Sequence, residues 1–226
     1  MAAAIDILAC ILAGAALVAA LLGLAGAQKV FDRSRKHHYG TLLFYYTNLS
    51  ILLAAIYFAL YLVWCFTGRG SALSFVVDPT LQLSITAAVQ VAMLVFFFIL
   101  TDCMCHFTQS CQDLHVGVRD TILQHYVVPW LTLLFWLLVG DKRGLVWADA
   151  FLWLLLPLAY FLLIVICAKL RIPLAGKGRE RWWPYRFLDM DELGFLPWLR
   201  NVALTFLGLL LLGSLLVGLG KLLTLG

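Results

Sequence analysis

Two residues of this chain carry chemistry that an apolar environment makes expensive: Thr47, within the run Tyr45-Tyr46-Thr47-Asn48, and His125, just inside another apolar stretch. A polar or ionisable side chain inside a membrane segment needs a partner or a task. A threonine hydroxyl is a weak nucleophile until an adjacent base takes its proton. Histidine titrates near neutrality and suits that role. Such a pair could carry out acyl transfer with donors for the oxyanion, for which Asn48 and Asn201 are candidates. Asp102, on the same expected side as His125, is a candidate to orient its ring. No metal and no cofactor is required by this chemistry. The same residues also have a structural reading: threonine commonly bonds the carbonyl one turn back in its own helix, and histidine often ties helices together.

The elements that must position this pair follow from composition. The chain has 226 residues, 64% of them hydrophobic and 12% charged, with a mean hydropathy of +0.98. Soluble domains carry about 25% charged residues, so a soluble domain is excluded. Six apolar runs, at about 4–26, 41–65, 81–101, 121–140, 147–168 and 197–220, are each long enough to cross a bilayer. They lack the short alternation of barrel strands. The expected fold is therefore all-α, a single transmembrane domain over residues 1–226 built as a polytopic bundle of six helices. Ala25-Gly26-Ala27 resembles a signal-peptidase site, but Asp6 is present, no basic residue precedes the run and its apolar core is too long, so a retained first span is expected.

Lysine and arginine set the expected orientation. Connectors one, three and five hold 12 of them, seven between Lys169 and Arg200, whereas Arg69, Lys142, Arg143 and Lys221 make 4 on the other side. Connectors one, three and five are expected in the cytosol. The net charge of +4 reflects this bias and anionic headgroups, and gives no support for nucleic-acid binding. Thr47 then lies about six residues into span two, roughly 9 Å at helical rise, and His125 about four residues into span four. Both enter from the cytosolic side, so they are expected at similar depth.

Other polar features have two readings each. Gln82, Thr86 and Gln90 recur every four residues along span three, a stripe that suits a substrate cavity or interhelical hydrogen bonds. Cys103, Cys105, His106, Cys111 and His115 offer thiolate and imidazole ligands, but their spacing is not a usual zinc pattern and no metal site is expected. Cys10, Cys65 and Cys167 lie within apolar runs, where small hydrophobic filler is the ordinary reading. Residues 181–191, Arg-Trp-Trp-Pro-Tyr-Arg-Phe-Leu-Asp-Met-Asp, combine the rings and guanidinium groups of an interfacial anchor or a cover over a lipid entrance. Its aspartates are candidates to cap the last helix or to pair with Arg186 or Arg200. No GxSxG elbow, HExxH, phosphate-binding loop or dinucleotide fingerprint occurs.

One ordered set of residues resembles a known family. It comprises Tyr45-Tyr46-Thr47-Asn48-Leu49-Ser50, His125-Tyr126-Val127-Val128-Pro129, Asp141-Lys142-Arg143-Gly144, Trp147-Ala148-Asp149-Ala150, Pro157-Leu158-Ala159-Tyr160 and the segment Trp183 to Asp191. Spans two to six are similar to bacterial six-span membrane proteins distantly related to the eukaryotic androgen-induced protein family. That wider family includes intramembrane threonine hydrolases of fatty-acid esters of hydroxy fatty acids. The resemblance implies a threonine nucleophile at Thr47, a histidine base at His125, a lipid-ester substrate and membrane lipids as partners. The rival expectations are a transporter or lipid-binding protein and a structural assembly partner. Sequence alone does not fix the oligomeric state.

Overall fold

The computed structural model describes residues 2–33, 42–100, 118–174 and 182–225. They form helices α1 (Ala2–Arg33), α2 (Tyr46–Phe66), α3 (Pro79–Val95), α4 (Val118–Ile122), α5 (Val128–Leu138), α6 (Asp149–Leu152), α7 (Leu155–Lys169), α8 (Met190–Leu193) and α9 (Phe195–Thr224). Wider π-helical turns occupy Phe96–Leu100 and Leu123–Val127. Among the described residues, six helical segments are long and apolar enough to cross a membrane: Ile5–Lys29, Tyr46–Phe66, Pro79–Phe98, Arg119–Leu138, Asp149–Lys169 and Phe195–Thr224. The protein is an all-α, multi-pass membrane protein, with no strand among the described residues.

Local chemistry sets the irregularities. Asp78 caps α3 by accepting from the Leu81 amide at 2.8 Å, and Pro79 occupies the first turn, where its missing N–H costs nothing. Pro129 cannot donate to the carbonyl four residues back, that of His125, and its ring crowds that oxygen. The helix widens instead, and the Val128 amide bonds Leu123 O across a π turn. Pro157 acts in the same way on Trp153, where α6 ends and a tighter turn leads into α7.

Helix α3 stands at the centre. On one side Ile85 and Val89 join a core with Ala9, Ala13, Ala16 and Ala20 of α1 and Ile51, Ala54 and Phe58 of α2. The alanine face of α1 lets backbones approach, which favours association where lipid is as apolar as protein. On the other side Leu83, Ala87 and Val91 join Trp136, Trp153, Tyr160, Ile164, Leu209 and Val217. Leu204, Leu207, Leu211 and Leu215 of α9 face outward as a lipid-facing stripe.

Candidate functional site

Thr47 sits in the first turn of α2, not six residues into a helix, because residues 42–44 form a 3-10 turn and Tyr45 is extended. Tyr45 provides no side-chain cap. A phenol distant in sequence does this work: the Tyr46 amide donates to Tyr185 Oη at 2.9 Å. The Thr47 amide also bonds that oxygen. Tyr160 hydrogen-bonds Tyr185 through their side chains, and Tyr160 Oη donates to Phe44 O at 2.7 Å. Rings reinforce the knot, with Tyr46 edge-on to Tyr160 at 5.2 Å and Tyr45 edge-on to Tyr185 at 6.1 Å. Burial pushes the Tyr185 phenol up to about 12, against the lowering effect of its hydrogen-bond donors, so it is neutral at physiological pH.

Beside this knot lies a cavity of about 60 Å³ walled by α2, α3, α7, α9 and residues 185–188. One water needs about 10–15 Å³ of such space, so the volume suits several carbon atoms or waters. Its lining is almost entirely apolar, and its hydroxyls are those of Thr47, Thr205 and the tyrosines. Thr205 Oγ1 donates to Asn201 O at 2.7 Å. The half-buried Thr47 hydroxyl makes no hydrogen bond among the described residues. Tyr46 Oη, on the same wall, is also without a hydrogen-bond partner among the described residues, so Thr47 carries the uncommitted aliphatic hydroxyl.

His125 lies in the π turn forced by Pro129, with only 6% of its surface exposed. Its ring stacks on Phe96 at 3.9 Å, nearly parallel, and Nδ1 lies 3.4 Å from Ala92 O. Ala92 also lines the cavity. One residue of α3 thus touches the histidine and the space that Thr47 faces. The neighbouring residues are joined directly: Gln124 Nε2 donates to Asn48 Oδ1 at 2.9 Å and to Gly23 O at 3.1 Å. That bond sets the Thr47 and His125 turns side by side, but no hydrogen bond links Thr47 to His125 among the described residues.

The remaining candidates are committed elsewhere. Asn48 engages Gln124, and Asn201 Nδ2 donates to Phe187 O at 2.9 Å, holding the cavity wall in place. Gln82 bonds Val76 O at 3.1 Å and accepts from the Asp141 amide at 3.1 Å; Thr86 bonds Gln82 O at 2.8 Å, and Gln90 bonds Pro129 O at 2.8 Å. None of these three lines the cavity. Asp102, Cys103, Cys105, His106, Cys111 and His115 lie outside the described residues. Among the described residues no group of three or more His, Cys, Asp or Glu side chains is arranged to hold a metal ion.

The tryptophan-rich segment forms a wall of the cavity. Tyr185, Phe187 and Leu188 line the space, while Trp182 lies against the Arg171 guanidinium at 5.6 Å. Its aspartates serve other partners than those expected: Asp189 caps α8 through the Asp191 and Glu192 amides, and Asp191 pairs with Arg171 at 3.2 Å. Sequence reasoning passed over Gln124, Tyr160 and Tyr185. The first adjoins His125, and the two tyrosines lie inside the very motifs that carry the family resemblance.

No family model matches the chain, and no curated protein or solved structure is similar to it at a significant level.

Proposed function

We propose that the protein is an intramembrane hydrolase of lipid esters, of the type that joins a fatty acid to a hydroxy fatty acid, with Thr47 as nucleophile and His125 as base. The observation that carries this reading is the Thr47 hydroxyl, uncommitted on the wall of an apolar cavity. Two facts support it: the Gln124–Asn48 bond draws the histidine turn to the threonine turn, and Ala92 borders both. The motif resemblance gives the pair its roles. Thr47 Oγ1 adds to the ester carbonyl and its proton passes to His125, by a water or by rotation of the threonine side chain. The alcohol leaves with that proton and an acyl-threonine remains. His125 then takes a proton from water, whose oxygen releases the fatty acid. The cavity walls bind acyl chains by burial of apolar surface. The lysine and arginine bias supports a site toward the cytosolic leaflet of a bacterial inner membrane, with connectors one, three and five in the cytosol.

A fluorophosphonate probe and a fluorogenic long-chain ester test the mechanism on purified protein. Labelling and turnover are expected in the parent and absent in Thr47→Ala and His125→Ala at unchanged melting temperature. Full turnover in either variant refutes the assignment. The absence of a direct Thr47–His125 hydrogen bond favours a second reading, a lipid-binding protein without chemistry. Saturable binding of a fluorescent fatty acid with no probe labelling of the parent supports that reading.

A further inference from the structure

At the end of α2 away from Thr47, two thiols face each other. Cys10 on α1 and Cys65 on α2 hydrogen-bond through their side chains. Both are free and partly exposed. Cys65 lies 18 positions beyond Thr47, about 27 Å along the helix, so the pair is remote from the cavity. Around the thiols the structure is open and charged. Cys10 lines a wide surface groove with Asp6, Ile7, Ile11 and Phe66, which gives a reagent access. An ion pair between Asp6 and Arg69 lies beside the same two helix ends. The alanine face of α1 at Ala9, Ala13 and Ala16 holds the two backbones close. A disulfide needs β-carbons about 3.5–4.5 Å apart, so closure relies on that close approach of the two backbones, with rotation of the thiols bringing sulfur to sulfur.

We propose that Cys10 and Cys65 are a redox pair that closes a disulfide between α1 and α2 by exchange with a small disulfide of the glutathione class. The Cys10 thiolate attacks the disulfide, one glutathione thiolate leaves, and a mixed disulfide remains on Cys10. The Cys65 thiolate then attacks the Cys10 sulfur and expels the second glutathione. Two protein thiols are oxidised, one glutathione disulfide is reduced, and both thiol protons end on the two glutathiones. Oxidation staples the two helices beside the Asp6–Arg69 pair and leaves the cavity intact. Under the orientation proposed above this end faces away from the cytosol, where disulfides persist. The chemistry of the pair does not depend on that orientation.

The test uses purified full-length chain equilibrated with a series of oxidised-to-reduced glutathione ratios, quenched by alkylation and mapped by peptide mass spectrometry. The expected result is loss of two free thiols per chain and a linked Cys10–Cys65 peptide, reversed by dithiothreitol. Cys65→Ser is expected to trap a glutathione adduct on Cys10 and to give no linked peptide. Alkylation of both Cys10 and Cys65 at the most oxidising ratio overturns the proposal, as does linkage of either to a different cysteine. Because ester turnover is not the readout, this result is independent of the hydrolase assignment.

Discussion

Replacing Tyr185 by Phe removes one oxygen atom and leaves the ring. What that oxygen does is on view: it accepts from the Tyr46 amide at 2.9 Å, and it bonds Tyr160. Without it the first amide of α2 has no acceptor in a largely buried place, at a cost of about 1–3 kcal/mol. The ring keeps its edge contact with Tyr45 and its packing on Phe187, so little of the loss is apolar. The pH dependence separates this from a generic packing defect. Burial raises Tyr185 from its ordinary value of 10.0 to about 12 in the folded chain. A phenol whose folded pKa lies above its unfolded value stabilises the fold fully below pH 10, and this contribution is lost as pH rises through 12. The rise from 10.0 to about 12 corresponds to ~3 kcal/mol between those limits. Urea unfolding in mild detergent, followed by tryptophan fluorescence from pH 7 to 12, gives the stability of parent and Tyr185→Phe side by side. The parent is expected to lead at pH 7 and to lose that lead progressively above pH 10. Taking the difference cancels the titration of tyrosines remote from Tyr185, and Tyr160→Phe in both chains removes that of its hydrogen-bonded neighbour. A lead that is absent at pH 7, or that stays constant through the alkaline range, refutes the role assigned to this phenol.

The Gln124–Asn48 bond should behave as a coupled pair. Gln124→Leu is expected to cost about 1–3 kcal/mol, and the double change with Asn48→Leu to cost less than the sum of the singles, read from a double-mutant cycle of unfolding midpoints. Gly213→Ala drives a β-carbon into Trp153 Nε1 and to 3.1 Å from Ala150 O, so about 1–3 kcal/mol of destabilisation and a lower melting temperature are expected. Arg171→Ala breaks a mostly exposed pair with Asp191, and a change below about 1 kcal/mol in the same assay is expected.

How much of this was legible in the sequence differs from element to element. The six spans were, because apolar runs of about 20 residues have few alternatives in water or lipid. Their irregularities were less so. The start of α2 at Tyr46 depends on a phenol 139 residues away, which no local pattern reports. The π turn at Leu123–Val127 had a local signal in Pro129, four residues after His125, and that signal marks the widened turn that carries the candidate base. The glutamine stripe follows from intervals of four on a helix, and its three residues are buried. Its partners are backbone groups, Val76 O, the Asp141 amide and Pro129 O, which residue type does not advertise. Spacing brought Thr47 and His125 to comparable depth. Whether their side chains touch depends on helix rotation, and here the backbone of Ala92 accepts the histidine contact.

The partners of α3 also impose a timetable on synthesis. Gln90 is satisfied by Pro129, 39 residues later, and Gln82 Oε1 by the Asp141 amide, 59 residues later. At about 5–20 residues per second the ribosome needs roughly 3–12 s to supply the second of these. During that interval the long-range bonds of these two side-chain amides do not yet exist. Polar groups left unpaired in an apolar medium are costly, so α3 reaches its full hydrogen bonding only after α5 and the turn after it have been made. The helix at the centre of the finished bundle is thus completed by segments made after it.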